Sequence, residues 1–480
     1  MAGFGNPTQA LYTTVRELVE NSLDSCEEAG TIPEVDIRIN SRSSDSVEVV
    51  VADNGTGVPS SKVPESFGRI LFGSKYSSRQ RRGTFGLGAT MAVLYGQITT
   101  GHPVEVCTRI CTEDGVRYRI FVDVEKNAPI IESFEKAKRN SEGTSVSITL
   151  SGDFKRARER IEEYLKLTGL STPYARITLN THEGRVLAFG GHSSELPPLP
   201  AVSKPHPRAA DLEFLRRIAM QHPDMTLYEF LTETFQKIGS VTARRFIKFI
   251  NMIPNRPLCD LGRSELTYLT RALQKYDGFG RPSSECLSLI GKDQFLQAIR
   301  NEFGHVLTAY SQRGPLDWSG FAYLIEGVLA VGNAFKSDEV PTIFRFANRV
   351  PLLYDASDDV FSKVMKRVPW NRYGISMVSG VGLFVHFCST RVPYSAAGKQ
   401  SIASVDRIDS EILALYRNLG RSLKMIARHQ KSAARQQKNY REFSKSFGLI
   451  AKFGASLAGS PTVPETDTMV KSLFEVDPNV

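Results

Sequence analysis

Apolar residues recur at helical spacing near the start of the chain. Residues 8–29 predict an amphipathic helix that ends at Gly30, before Pro33. One face of it carries Leu11, Val15, Leu18, Val19, Ser22 and Cys26. On the opposite face, within about 60° of one another at 100° per residue, lie Glu17, Asn21, Asp24 and Glu28. The solvated side of a surface helix would account for this polar group, so the helix alone does not assign it a function.

Alternation with a period of two follows this helix and predicts strands. The predicted strands are VDIRI (35–39), VEVVVADNG (47–55), VEVCTRIC (104–111), VRYRIFVDV (116–124) and TSVSITL (144–150). Two further helices are predicted at 62–72 and 86–96. Strands interspersed with helices in this way predict an α+β layer, in which helices cover one sheet.

A proline-rich stretch, SSELPPLPAVSKPHPR (193–208), divides the chain and predicts a linker between domains. Residues 209–275 then have an almost wholly helical pattern. A second α/β section is predicted over 280–405, with strands near 319–332, 342–354 and 380–390. A long helix closes this section, and a loose tail is predicted at 459–468.

The composition is that of a globular protein, but it does not indicate a function. Hydrophobic residues make up 41% and charged residues 23% of the 480 residues, which is typical of globular domains. No apolar run is long enough to span a membrane, and no secretion signal opens the chain. The six cysteines form no CxxC pair, and the eight histidines have no zinc-ligand spacing. A reducing compartment is expected, the cytoplasm of a prokaryote or the nucleus of a eukaryote.

The net charge of +9 is concentrated near the C-terminal end, where residues 407–452 contain eleven Lys and Arg but three acids. On a helix, six of these cations form one stripe: Arg421, Lys424, Arg428, Lys431, Arg435 and Lys438. The opposite side of the same helix carries Ile412, Leu415, Leu419, Leu423 and Ile426. Two interpretations stay open, a solvated charged face or a stripe that meets phosphates or an acidic partner.

Two glycine-rich stretches add candidate chemistry to the first domain. In VADNGTGV, Asp53 ends a β-rich run and precedes Gly55 and Gly57, which let the backbone approach a ligand closely. In GTFGLGAT, Gly83, Gly86 and Gly88 lie at the start of a predicted helix, whose free N–H groups can bind phosphates.

Four stretches, ELVENSLDS, DNGTG, GTFGLGA and EGTSVSI, resemble the sequence boxes of the GHKL ATPases. This resemblance implies the GHKL (Bergerat) α/β sandwich, which binds ATP with Mg²⁺. It implies that Glu17 is the general base for the attacking water and that Asn21 is the magnesium ligand. It also implies that Asp53 accepts a hydrogen bond from the adenine amino group, with Gly57 beside it and Thr144 supporting the adenine end.

Longer segments between Gly3 and about Ala403 are similar to the B subunits of topoisomerase VI, the type IIB topoisomerases. They include VPESFGRILFGSKYSSRQRRGTFGLGATMAVLYGQITTG, FRFANRVPLLYD and VHFCSTRVPYSAAGKQSIA. By this resemblance Ser74 and Lys75 line the nucleotide site. Lys399 is the implied switch lysine, which reaches the γ-phosphate from the second domain. The implied phosphate loop consists of Gly83, Thr84, Phe85, Gly86, Leu87, Gly88, Ala89 and Thr90.

The same resemblance implies two DNA contacts. FLTETFQKIGSVTARRFIKFI (230–250) resembles a helix-two-turns-helix module that presents Arg244, Arg245 and Lys248, although compact helical packing without DNA contact stays open. PWNRYG (369–374) looks like the family's DNA-contacting WKxY motif, which here consists of Trp370, Asn371, Arg372 and Tyr373. Asn371 replaces the motif's lysine, and Arg372 is expected to compensate.

The resemblance divides the α+β chain into five parts. The expected parts are the GHKL ATP-binding domain (1–200), the helix-two-turns-helix domain (205–275), a transducer of ribosomal-protein-S5-like α/β fold (276–410), the basic C-terminal helix (411–455) and a flexible tail (456–480).

The function implied is that of the ATP-hydrolysing subunit of a type IIB DNA topoisomerase. Two copies would join when ATP binds and would drive double-strand passage in an A2B2 heterotetramer. No Toprim-like acidic cluster is present, so a separate A subunit is expected to cut the DNA. The alternative is a catalytically weak scaffold that binds DNA and a cleaving partner. It is considered because the family's N-terminal strap does not precede Met1, so that either the strap is lost or this start is internal. Thr90 also stands where many relatives have lysine, which removes one possible phosphate contact.

Overall fold

The structure is a computed structural model that describes residues 3–43, 45–70, 80–83, 88–138, 141–338, 340–374, 380–395, 401–466 and residue 470. Within these ranges, none of the helices combines the length and the apolar character needed to cross a membrane.

Over the described residues, the first sheet has eight strands in the order β5-β4-β3-β6-β2-β1-β7-β8. They are β1 (Glu34–Ser41), β2 (Ser46–Ala52), β3 (Val104–Arg109), β4 (Val116–Asp123), β5 (Ala128–Lys136), β6 (Gly143–Ser151), β7 (Arg176–Thr181) and β8 (Val186–Gly190). Neighbouring strands are antiparallel except for the β1–β7 pair, which is parallel.

Helices cover this sheet, as the sequence pattern predicts. They are α1 (Pro7–Ala29), α2 (Val63–Gly68), α3 (Gly88–Thr100) and α4 (Phe154–Ser171). Asn6 caps α1 by accepting the Gln9 N–H at 2.8 Å, and Gly30 ends it in the left-handed conformation (φ 68°). Alternate residues of β1 and β2 are buried, and together with the apolar face of α1 they form the core of this domain.

A helical section with its own core follows the proline-rich segment. It contains α5 (Leu212–Gln221), α6 (Leu227–Glu229), α7 (Ser240–Ile250) and α8 (Arg263–Lys275), with a π-helical turn at Phe230–Thr234. Phe230, Phe235, Phe246 and Phe279 lie in the centre of this core.

The second sheet has the order β12-β11-β13-β10-β9 over the described residues. Its strands are β9 (Leu307–Trp318), β10 (Phe321–Val331), β11 (Thr342–Ala347), β12 (Val350–Pro351) and β13 (Val381–Ser389). Its helices are α9 (Lys292–Phe303), α10 (Val360–Met365) and α11 (Asp406–Leu457). Every residue of β13 is buried, because α11 and α10 pack on one face of the sheet and α9 and α4 pack on the other. Since α4 contributes to both cores, it joins the two sheets.

Candidate active site

Helix α1 places Glu17 against the start of α3. The Glu17 side chain is buried, and its Oε1 accepts a 2.6 Å bond from the Arg16 guanidinium. Gly88 is the first residue of α3, and a Cβ atom built on it would overlap the Glu17 carboxylate. Only glycine therefore lets the first turn of α3 come this close to the carboxylate.

Asp53 follows the end of β2 and is fixed by three donors. Its Oδ2 accepts the Ser22 hydroxyl at 2.9 Å, and its Oδ1 accepts the N–H groups of Gly55 and Thr144 at 3.0 and 3.1 Å. The Asp53 N–H donates in return to the Thr144 carbonyl at 2.9 Å. These bonds hold the buried carboxylate in one orientation between α1 and β6.

Gly57 and Thr144 lie on either side of the end of β3. Gly57 has φ 71°, and a Cβ atom there would overlap the carbonyl oxygen of Arg109. The Thr144 hydroxyl lies 3.2 Å from the Thr108 hydroxyl, which also accepts the Val58 N–H at 2.9 Å. The turn that carries Gly57 therefore packs against the same strand as Thr144, so these two predicted site residues lie close together.

The other predicted nucleotide-site residues are described in part. Asn21 lies one helical turn after Glu17 and is half-buried. Gly83, Gly88, Ala89 and Thr90 are described, and Thr90 is buried, so its side chain points into the domain. Ser74, Lys75, Thr84, Phe85, Gly86, Leu87 and Lys399 lie outside the described residues.

Comparison with known proteins shows the family to which the chain belongs. Residues 6–153 match the family of histidine kinase-, DNA gyrase B- and HSP90-like ATPases, and residues 282–439 match the transducer of the topoisomerase VI B subunit. The B subunit of type 2 DNA topoisomerase 6 from Saccharolobus solfataricus is 37% identical over 452 residues, which are 93% of this chain and 85% of the relative. The chain belongs to the topoisomerase VI B subunit family.

A second member of this family, from Saccharolobus islandicus, is 36% identical over 467 residues, which are 96% of this chain and 88% of the relative. Among solved structures, the N-terminal domain of a DNA repair protein matches with a TM-score of 0.43 and 12% identity, over 87% of this chain and 94% of that one. That likeness is too distant to carry an argument. The curated relatives and the two family models assign a GHKL ATPase domain and a transducer domain to the chain.

The predicted DNA-contacting residues of this family member differ in exposure. Arg244, Arg245 and Lys248 are exposed on α7, whose apolar side lies in the helical core. Trp370 is 4% exposed, and its indole N–H donates to the Met365 carbonyl at 3.2 Å. This burial leaves the indole little surface to offer to a duplex.

The neighbours of Trp370 in this motif lie nearer the surface. The ring of Tyr373 packs so closely on Gly420 of α11 that a Cβ atom there would overlap it. Asn371 and Arg372 are exposed. Of the motif, the Arg372 side chain is therefore the cation available to a phosphate.

A buried cluster between the ATPase domain and the transducer was missed by the sequence analysis. Arg82 pairs with Asp24 at 2.8 Å and with Glu27 at 2.6 Å. Glu27 also pairs with Arg349 at 3.5 Å and accepts the Tyr174 hydroxyl. Burial raises the pKa of Glu27, but the two guanidinium groups and the hydrogen bonds outweigh burial and lower the pKa to about 2.

A second buried cluster in the transducer consists of Glu326, His386 and Cys388, three residue types that ligate metals. The Glu326 oxygens accept the N–H groups of Ile290 and Gly291, the His386 ring and the Tyr310 hydroxyl. His386 Nε2 accepts the Arg349 N–H at 2.9 Å. Burial lowers the pKa of His386, so the ring is neutral with its proton on Nδ1. The carboxylate oxygens and ring nitrogens are thus engaged in hydrogen bonds that fix the strands, and we assign the cluster a structural role.

Proposed function

We propose that this chain is the ATP-binding and ATP-hydrolysing subunit of a type IIB DNA topoisomerase, which acts with a separate cleaving A subunit. The observation that carries the proposal is the arrangement around α1, where Glu17 meets Gly88 at one place and Ser22 holds Asp53 at another. The Glu17 carboxylate beside the start of α3 suits the phosphate end of a nucleotide, and the fixed Asp53 carboxylate, followed by Gly55 and Gly57, suits the adenine end. This chain matches the family models of both an ATPase domain and a topoisomerase VI B transducer.

In the proposed hydrolysis Glu17 acts as the general base. Its carboxylate takes a proton from water, the water oxygen attacks the γ-phosphorus, and the bond to the β,γ-bridging oxygen breaks to give ADP and phosphate. The N–H groups at the start of α3 lie next to Glu17, where the positive end of the helix dipole stabilises phosphate charge. Phosphoryl transfer needs mainly such positioning and charge neutralisation.

Asn21 fits the role of magnesium ligand by its chemistry and position. Its side-chain amide offers the oxygen that Mg²⁺ prefers, and it lies one turn from Glu17 on the same face of α1. When bound, Mg²⁺ would neutralise charge on the phosphates. Asn21 is half-buried rather than enclosed, which leaves room for the waters that this ion retains.

At the adenine end we propose that Asp53 accepts the exocyclic amino group, with Gly57 and Thr144 beside the ring. The Ser22, Gly55 and Thr144 donors keep Asp53 in place before a nucleotide arrives, so little ordering is needed on binding. Ser74, Lys75, the loop 83–90 and Lys399 belong to the same proposed site through the family resemblance.

We further propose that ATP joins two copies and that the transducer carries the resulting movement to the A subunit in an A2B2 assembly. Helix α11 supports this proposal by its length and burial. It contains 52 residues, or about 78 Å at 1.5 Å per residue. Ile412, Leu415, Leu419 and Leu423 are buried on the second sheet. Beyond Ile426 most of the helix is exposed, and it carries the last four cations of the basic stripe. A helix anchored at one end extends the motion of the sheet to a distant partner.

Double-stranded DNA is the proposed substrate of the assembly. The exposed cations of α7 and the exposed Arg372 are suited to phosphate contacts, which position a duplex without reading its sequence.

The proposal is tested by measuring ATP hydrolysis by the chain together with its A subunit and DNA, for the natural protein and for Glu17→Gln. Loss of a general base lowers turnover by roughly 100-fold or more, while binding of a nonhydrolysable ATP analogue should be retained. Glu163→Gln is the matched control, because Glu163 is a half-exposed acid on α4 of the same domain. Unchanged hydrolysis in Glu17→Gln would overturn the proposal, and no turnover in the natural assembly would favour the scaffold alternative.

A further inference from the structure

The segment that leads into the glycine loop is bonded directly to the transducer. Residues 80–83 lead into the loop, whose first residue is Gly83, and Gln80 makes three hydrogen bonds to residues about two hundred positions away. Its backbone N–H donates to the Cys286 carbonyl at 2.9 Å, its side-chain amide donates to the Ser288 carbonyl at 3.0 Å, and its side-chain oxygen accepts the Ser288 N–H at 2.7 Å. Gln80 is buried, so water does not compete strongly for these bonds.

A second contact holds the next residue of the segment. The Asn348 side-chain amide donates to the Arg81 carbonyl at 2.9 Å and to the Ser389 carbonyl at 2.9 Å. Asn348 therefore connects the backbone of the 80–83 segment to β13 of the transducer sheet.

Arg349 closes a ring of buried contacts between the two domains. Its guanidinium donates to the Ser288 hydroxyl at 2.6 Å and pairs with Glu27 of α1 at 3.5 Å. Glu27 pairs in turn with Arg82, so the ring returns to the 80–83 segment. We call this set the junction ring; its members are Glu27, Gln80, Arg82, Ser288 and Arg349.

The transducer side of the junction ring is held firmly. Asn348 and Arg349 form the turn between β11 and β12, with φ values of 48° and 66°. The Arg349 N–H donates to His386 of β13, and His386 bonds to Glu326 of β10. The position of this turn is thus fixed to the transducer sheet, and it cannot shift without either moving the sheet or breaking buried bonds.

We propose that Gln80, Arg82 and Arg349 are positioning residues that couple the 80–83 segment and α1 to the position of the transducer, separately from Lys399, and that ATP turnover depends on this coupling. This inference rests on the proposed ATPase function. Buried guanidinium and carboxylate groups resist being left unpaired, so the ring favours a small number of discrete arrangements over gradual distortion. A displaced transducer would therefore shift Arg82, and with it the ion pairs that Arg82 makes with Asp24 and Glu27 on α1, the helix that carries Glu17.

A second interdomain contact provides a matched control. Lys166 of α4 and Glu302 of α9 form a 2.6 Å ion pair between the same two domains. Both side chains are partly exposed, and neither residue belongs to the junction ring or contacts the 80–83 segment through a described hydrogen bond. Lys166→Met therefore removes an interdomain contact without touching the segment.

The test uses the full chain with its A subunit and DNA. It compares the natural protein with Gln80→Ala, Arg349→Met and Lys166→Met. Turnover is expressed per chain that binds a nonhydrolysable ATP analogue. A smaller amount of folded protein therefore does not appear as a lower kcat. We expect Gln80→Ala and Arg349→Met to lower kcat about tenfold, within the usual range of coupling between sites, with KM for ATP within about threefold of the natural value. Lys166→Met should stay within about twofold on both measures, as exposed pairs contribute little.

Two further variants complete the test: one retains the charge of Arg349, and the other is used if the first two variants do not fold. Arg349→Lys retains the charge for Glu27 but not the fork that also reaches Ser288, so it should restore only part of the lost kcat. If Gln80→Ala and Arg349→Met do not fold, the kcat of Asn348→Gly is compared with that of Lys166→Met instead. Glycine tolerates the positive φ of this turn, and the variant loses the bonds to Arg81 and Ser389. The inference is overturned if the folded junction variants match Lys166→Met. Absence of turnover in the natural assembly would instead refute the proposed function.

Discussion

Helix α1 takes part in two polar clusters that differ in how they are built. Around Glu17 and Asp53, the candidate nucleotide site uses residues from one domain and leaves glycine turns beside the acids. At the junction ring, Glu27 and Arg82 meet Arg349 of the transducer, and the charged groups pair with one another in the interior. One helix therefore carries a candidate catalytic acid, Glu17, near its middle and a buried interdomain ion pair at Glu27 near its end.

This comparison also shows why the junction ring is sensitive to substitution. In the candidate nucleotide site Glu17 pairs with one buried guanidinium, that of Arg16, and Asp53 accepts hydroxyl and backbone donors. Glu27, by contrast, serves two buried guanidinium groups at once. Removing one partner of a buried pair leaves the other charged and unpaired, which costs more than the pair contributes. We therefore expect the junction to dominate stability and the Glu17 site to dominate turnover.

The largest predicted effect is on stability. Glu27→Gln should lower the free energy of unfolding by about 3 to 5 kcal/mol, because Arg82 and Arg349 both lose a buried anionic partner. Urea unfolding at neutral pH measures the change. In Glu163→Gln, which breaks a half-exposed pair with Arg160, the loss should stay below about 1 kcal/mol. Equal losses in the two variants would remove the contrast between the junction and an ordinary surface pair.

The next effect is on turnover. Gly88→Ala places a methyl group where the Glu17 carboxylate lies, so α3 and Glu17 must separate. A displacement of this kind should lower ATP hydrolysis about 100-fold, with a smaller change in the unfolding midpoint than in Glu27→Gln. Gly448→Ala is the control, because nothing lies within 4 Å of the new Cβ atom on the exposed part of α11. Normal hydrolysis by Gly88→Ala would show that Glu17 and the start of α3 need not be in contact.

A pH titration tests whether the Glu27 carboxylate stabilises the fold through its buried ion pairs. Its folded-state pKa of about 2 lies below the ordinary glutamate value of 4.5, so its contribution to stability is fully present above pH 4.5 and disappears as pH falls towards 2. The pKa values of Arg82 and Tyr174 are both raised, so neither of these two partners titrates in this window. The stability difference between the natural protein and Glu27→Gln should therefore shrink between pH 4.5 and 2. A difference that is constant across this window would contradict the pairing.

The smallest effect concerns DNA. Substituting Arg244, Arg245 and Lys248 together by Ala should weaken DNA binding and make the slope of log affinity against log salt shallower by about 3, close to one unit per lost phosphate contact. Filter binding or fluorescence anisotropy at several salt concentrations measures this slope. Arg156→Ala, which removes an 81% exposed arginine from α4, is the control. An unchanged slope in the triple variant would favour compact helical packing without DNA contact.

The fold was predictable from the sequence where its pattern was regular. The predicted helix 8–29 is confirmed by α1, and the buried alternate residues of β1, β2 and β6 confirm three strands. Strand β5 was not predicted, because it lies at a sheet edge with most of its residues exposed and shows no alternation. Helix α4 was also missed, although Asp153 caps it and its apolar residues recur at helical spacing.

The residues of the candidate site and of the junction ring also differ in how far the sequence could predict them. Glu17, Asn21 and Asp53 lie in short contiguous motifs, so spacing and resemblance identified them. The junction ring has no such signal, because Glu27 and Arg349 are 322 positions apart and belong to different domains. Burial of Trp370 was not predictable either, because it depends on packing near α11 and Tyr416.

If Asp53 and Glu17 lie at the two ends of one bound ATP, as we propose, Asp53→Asn should weaken the binding of the nucleotide. Asparagine keeps the shape and can still accept the Gly55 and Thr144 N–H groups, but it presents an amide donor instead of an anionic acceptor to the adenine amino group. The measurement is the Kd of a nonhydrolysable ATP analogue, by calorimetry, alongside the unfolding midpoint. We predict a Kd about 30-fold higher, as expected for losing a hydrogen bond to a charged group, with the unfolding midpoint nearly unchanged. A Kd within about twofold of the natural value would contradict the account.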